Sequence, residues 1–132
     1  MTTALAPEAH PGAVGQPAAA QPGHWSEPRV QRWLERRGWR TLGANVVSRH
    51  GELDLVMADG DTIVFVEVRQ RTGAGHGGAG ASLVASKRAR VRRAAAAWLA
   101  ARGLHEVSVR FDAALVRGGP QRARVTLVRD AF

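Results

Sequence analysis

The chain has 132 residues, with 19 Arg and Lys against 11 Asp and Glu and a net charge of +8. It contains no cysteine, which excludes disulfides and thiolate zinc sites. No run approaches the roughly 18 apolar residues of a membrane span, so a cytoplasmic protein without membrane contact is expected. A chain of this length has room for one compact domain.

Residues 1–23 read as a disordered tail of Ala, Pro, Gly, Gln and Thr, holding four of the six prolines and a single charge, Glu8. Such a segment cannot bury enough apolar surface to offset its chain entropy. It also lacks the basic start and continuous apolar core of a signal peptide. The domain is therefore expected over 24–132, where 19 basic residues face 10 acidic ones, a net of +9. An excess of that size suits a polyanion, and the expected partner is nucleic acid, DNA before RNA. Arg supplies 18 of the basic residues, which a bias in genome composition would also produce. Aromatic residues are few and Tyr is absent, so recognition should follow backbone or shape rather than base stacking.

The first helix should open at Ser26 as N-cap, with Pro28 in its first turn and Trp25 stapled against Val30. Val30, Trp33 and Leu34 form its apolar stripe and Gly38 ends it. Glu27 lies in the opening turn, where a carboxylate complements the helix dipole. Residues 41–48 read as a first strand, and 52–57 with 62–71 as a hairpin turning at Asp59-Gly60-Asp61.

Both hairpin strands are apolar on both faces, which places them inside a sheet, yet they carry Asp54 and Glu67. A Gly60-Asp61 loop, with Gly supplying the positive φ of a type II′ turn, pairs Asp59 with Thr62. The same register opposes Asp54 to Glu67, with Cβ atoms roughly 4.5–5.5 Å apart, and Arg69 to Glu52. An Asp59-Gly60 loop keeps the acids on one face, whereas a three-residue loop without a bulge separates them. Like charges so close repel by a few kcal/mol at an effective dielectric near 20. Two arrangements relieve that repulsion: a hard divalent cation such as Mg²⁺, or a metal-free cluster in which Arg69 neutralises Glu67 and Glu52.

Residues 73–81 hold five glycines in nine positions but lack the Gly-Lys-Ser/Thr of a phosphate-binding P-loop. They read as a loop, with His76 solvated. The second helix should run from Ser82 or Ser86 to Arg102 and end at Gly103, burying Val91, Ala94, Ala95 and Trp98 while Arg88, Arg92 and Arg93 point elsewhere. Lys87, the only lysine, heads the buried stripe four residues before Val91. Its ammonium either faces the sheet or snorkels past the core edge to solvent. Strands over 106–116 and 122–129, joined at Gly118-Gly119-Pro120, complete the sheet, with Asp112 in a structural role.

The order helix, three strands, helix, two strands, with Glu27 in the first helix, Asp54 on the second strand and Glu67-Val68-Arg69 on the third, resembles the restriction-endonuclease-like PD-(D/E)xK core. That core is an α/β fold with a mixed central β-sheet flanked by two main helices. More closely, Asn45, Gly51-Glu52-Leu53-Asp54-Leu55-Val56, Phe65-Val66-Glu67-Val68-Arg69-Gln70-Arg71, Lys87 before an Ala-rich helix and Phe111-Asp112 resemble the YraN family. The likeness spans residues 25–132. It implies that Asp54 and Glu67 hold Mg²⁺ or Mn²⁺ with help from the Val68 carbonyl, and that Glu27 supports them. The lysine usual two residues after the glutamate is here Arg69, which can stabilise phosphate charge but is too basic to accept a proton. Lys87 could take that lysine's place in space. Arg71, Arg88 and Arg92 would contact the nucleic-acid backbone. Three functions remain open from the sequence: a metal-dependent endonuclease, a binding module without turnover in which Arg69 is locked to Glu52 and Glu67, and an adaptor whose charge serves solubility.

Overall fold

The computed structural model describes residues 25–71 and 80–132, with the side chains of 71–84 left aside. The expected tail, His76 and the Arg71 side chain lie outside the described residues. Seven elements follow in order: α1 (Ser26–Arg36), β1 (Arg40–Ser48), β2 (Gly51–Asp59), β3 (Thr62–Arg71), α2 (Gly80–Ala101), β4 (Ser108–Arg117) and β5 (Arg124–Val128). The strands form one sheet in the order β1-β2-β3-β4-β5. Only β3 and β4 are parallel; the other neighbours are antiparallel. That parallel step needs a long crossover, which α2 supplies. The result is an α/β fold with a mixed five-stranded sheet and two helices, in the order expected of an endonuclease-like core. Among the described residues, no helix is long and apolar enough to cross a membrane.

The helices bury their stripes against different sets of sheet residues. Val91, Ala94, Ala95 and Trp98 of α2 pack on Leu53, Val56, Ala58, Ile63 and Phe65. Val30 and Leu34 of α1, with Trp39, pack on Leu55, Met57, Val64, Val66 and Val116. Consecutive residues of β3 alternate between the two sets, as side chains on a pleated strand must, so the sheet is a middle layer covered on both faces. This accounts for the near-continuous hydrophobicity of β2 and β3.

The start of α1 differs from expectation. Trp25 occupies the N-cap without a side-chain hydrogen bond, and Ser26 is the first helical residue, buried in the structure. Trp25 packs against the cluster that contains Val30, so the apolar staple forms even though the hydroxyl cap does not. At the other end Gly38, with φ of 94°, lets the chain reverse so that the Trp39 N–H donates to the Leu34 carbonyl at 3.2 Å, closing the helix as an αL glycine does. The β2–β3 turn follows the Gly60-Asp61 register: Asp59 pairs with Thr62 and Leu55 with Val66. Gly60 has φ of 62° while Asp61 has no positive φ, as a type II′ turn requires.

Asp112 of β4 is fully buried and held by three hydrogen bonds from Arg110, the shortest 3.0 Å, plus one from the Asp130 N–H at 3.0 Å. Arg110 also reaches Asp59 at 3.4 Å. The cluster ties β4 to the hairpin turn and to the C-terminal segment, which gives Asp112 the structural role expected.

Candidate functional site

Asp54 lies where the β1–β2 ribbon turns over. On β2, Leu53 packs under α2 while Leu55 packs under α1. On β1, Val46 packs on the α2 side and Ala44 on the α1 side, and the cross-strand pairs are Val46 with Leu53 and Ala44 with Leu55. Residues two apart on a regular strand share a face, so the ribbon rotates between these pairs, at Asn45 and Asp54. Asn45 absorbs the rotation with φ of 50°, in the left-handed region that Asn tolerates better than most residues.

The rotation alters the expected opposition of the two acids. Pairing between β2 and β3 runs only as far as Leu55 and Val66, one step short of Asp54 and Glu67. There the Val68 N–H donates to Asp54 Oδ2 at 2.9 Å, so a carboxylate stands where a strand carbonyl would normally accept. No sequence signal pointed to that amide. The signal for the turn-over was Asn45 itself, since an Asn within a strand is a hint of positive φ.

Glu67 continues the α2-side series of Ile63 and Phe65 and is only 2% exposed. Lys87 Nζ stands 3.0 Å from Glu67 Oε1, yet Oε1 has no hydrogen bond: the ion pair has contact distance without a hydrogen bond's alignment. The Lys87 side chain is half exposed, so its stem leaves the protein surface partly open while its ammonium turns inward to the acid. Of the two arrangements left open by the sequence, the Arg69 bridge is not formed. Among the described residues no ion pair joins Arg69 to Glu67 or Glu52, and the cation that reaches Glu67 comes from α2. Once the strands part beyond Leu55, cross-strand spacing no longer governs who meets Glu67.

Asp54 feels the whole cluster. Burial first, then the neighbouring Glu67 charge, pushes its carboxyl pKa from 3.8 up to about 7. The Val68 amide opposes that shift, Glu27 of α1 adds to it, and Lys87 opposes it. Glu27, Asp54, Glu67 and Lys87, from four different elements, therefore form one electrostatic unit. Arg88 is exposed one residue beyond Lys87, and the Arg92 guanidinium lies 4.6 Å from the Phe111 ring centroid.

Among the described residues, no group of three or more Asp, Glu, His or Cys side chains could hold a metal. A pair of carboxylates is nevertheless the usual protein share of a Mg²⁺ site, where waters and substrate phosphates complete the shell. The suppressed ionisation of Asp54 beside the Glu67 charge favours an added cation. The donors are hard oxygens, so they fit Mg²⁺ or Mn²⁺ and not a thiolate-type zinc site.

Residues 26–116 match the profile of "Uncharacterised protein family UPF0102". This chain belongs to the UPF0102 family. A UPF0102 protein of Halorhodospira halophila is 47% identical over 112 residues, covering 85% of this chain and 87% of the relative. The UPF0102 protein YraN of Escherichia coli strain SMS-3-5 is 41% identical over 123 residues, covering 92% and 91% of the two chains, as is that of Shigella sonnei. The likeness to YraN proteins read from the hairpin is thus a family relation. The UPF0102 match spans Glu27, Asp54, Glu67 and Lys87.

Proposed function

We propose that this UPF0102 protein binds nucleic acid on an endonuclease-like scaffold and hydrolyses phosphodiester bonds with Mg²⁺ or Mn²⁺. The observation that carries this reading is the pair of neighbouring carboxylates from adjacent strands, Glu67 buried and Asp54 pushed up to a pKa of about 7 by burial and by the Glu67 charge. Asp54 and Glu67 would hold the cation, with the Val68 carbonyl as a third donor. When bound, it supplies Lewis-acid stabilisation and activates water.

The chain's own cations have distinct parts. Lys87, paired with Glu67 at 3.0 Å, would contact the scissile phosphate and stabilise charge that builds on it. Arg69 serves phosphate binding and not proton abstraction. Glu27 adds negative potential from α1 without contacting the substrate. Arg71, Arg88 and Arg92 follow the backbone on either side. A second reading, binding without turnover, is favoured by one feature: the Lys87 ammonium already partly neutralises Glu67.

Titration calorimetry with Mg²⁺ and Mn²⁺, beside incubation with single-stranded, duplex and branched DNA, separates the two. The nuclease reading expects cation binding that Asp54→Asn abolishes, cleavage that Glu67→Ala abolishes, and a drop of about 100-fold in rate for Lys87→Met. DNA binding with no cation uptake and no cleavage would leave the binding module. Undiminished cleavage by Lys87→Met would remove Lys87 from the mechanism.

A further inference from the structure

Arg29, Arg32 and Arg36 recur on α1 at intervals of three and four residues and so share one side of the helix. Together with Arg124 of β5 they line a groove of about 620 Å³, with Trp33 and Thr126 in its wall and no acidic side chain. The Arg29 guanidinium donates to the Pro120 carbonyl in the β4–β5 turn, which pins α1 beside the strand and fixes the groove's width. Arg32, Arg36 and Arg124 are exposed, and among the described residues they make no ion pair. Four guanidinium groups around one groove repel each other unless an anion lies between them.

The chemistry of the wall narrows the choice of anion. The Arg37 guanidinium sits 4.5 Å from the Trp33 ring centroid, and Trp33 packs against the core, so little of the indole is left for a base to stack on. Recognition therefore falls to the arginines and is directed at phosphate. From Arg29 to Arg36 the helix advances about 10 Å at 1.5 Å per residue, so the row is long enough to meet more than one phosphate of a strand. Arg88 and Arg92 lie on α2, whose stripe packs on the other face of the sheet, so this groove is a separate surface. Its arginine row begins two residues after Glu27, beside the helix turn whose charge reaches Asp54.

We propose that the α1–β5 groove binds the sugar-phosphate backbone of a nucleic acid, as a contact surface distinct from the α2 arginines. The proposal rests on the nucleic-acid half of the reading above and is independent of catalysis. It is tested by fluorescence anisotropy of a labelled DNA duplex with the full chain, titrated at several salt concentrations. Arg32→Gln/Arg124→Gln is compared with Arg88→Gln/Arg92→Gln and with the charge-matched control Arg49→Gln/Arg129→Gln. The groove variant should lose affinity by at least about tenfold, and the slope of log affinity against log salt should flatten by nearly two, while the control changes little. Equal losses in the groove and control variants would show a general charge effect and overturn the groove. Unchanged binding by the groove variant, with loss in the α2 variant, would overturn it and leave nucleic-acid binding standing. Failure of the unaltered protein to bind would overturn both. Should the groove variant not fold, phenylglyoxal footprinting of the unaltered protein decides: protection of Arg32, Arg36 and Arg124 by DNA supports the groove, and equal modification with and without DNA overturns it.

Discussion

Asp54 is costly to the fold until something positive joins it. Its pKa stands near 7 in the folded chain against an ordinary 3.8. Well below pH 3.8 the carboxyl is protonated whether the chain is folded or not, and it costs nothing. Between there and pH 7 the unfolded chain releases the proton while the folded chain retains it, so stability falls as pH rises and the loss is complete above 7. Asp54→Asn cannot ionise, and its side-chain oxygen can still accept from Val68. In chelator-treated protein, the variant should melt higher than the unaltered chain at pH 8, by on the order of 5 °C, and nearly level with it at pH 4. Thermal melts at both pH values check this; an equal difference at each would sink it. Added Mg²⁺ should stabilise the unaltered chain and not the variant. The sequence placed two acids in an apolar hairpin and so announced an electrostatic conflict. It could not show which cation answers it, because Lys87 lies 20 positions away on a helix whose docking no local pattern specifies.

At the scale of elements, the turn-over of the β1–β2 ribbon is what aims Asp54. The alternation rule read from sequence assumes a regular pleat, and it held from Thr62 to Val66, where the register is set by the Gly60 turn. It failed at Asn45 and Asp54 because one left-handed residue rotates both paired strands. Asn45→Val puts a β-branched side chain at positive φ and should cost about 1–2 kcal/mol, measured by urea denaturation. The same variant should weaken Mg²⁺ binding in calorimetry, since relaxing the rotation withdraws Asp54 from Val68 and Glu67. A variant of full stability and full cation affinity would mean that the rotation is not what positions the site. The N-terminus of α1 teaches a related lesson. Ser26 had the composition of a cap, but the demand to bury Trp25 beside Val30 placed the helix start one residue earlier.

Across the whole molecule, stability depends on the sheet being covered on both faces and clasped at one end. The clasp is Asp112, sealed from solvent and bonded to Arg110 and the Asp130 amide. Removing its carboxylate leaves Arg110, whose side chain is 16% exposed, with the longer contact to Asp59 as its remaining ion pair and the Trp39 ring 5.6 Å away. Asp112→Ala should therefore cost about 3–5 kcal/mol, read from denaturation midpoints, whereas Asp112→Asn should cost less by keeping an acceptor for the backbone amide. A loss under about 1 kcal/mol for the alanine variant would show that the cluster is peripheral. Chain order and the number of elements were legible because apolar runs, a glycine turn and helical spacing are local features, and the hairpin register followed from the backbone demands of a single turn. Which helix covers which face, how Lys87 replaces Arg69 at Glu67, and how arginines from α1 and β5 meet in one groove depend on contacts between distant segments. Those contacts are decided by packing in three dimensions, where a one-residue rotation redirects a side chain that periodicity alone would have aimed elsewhere.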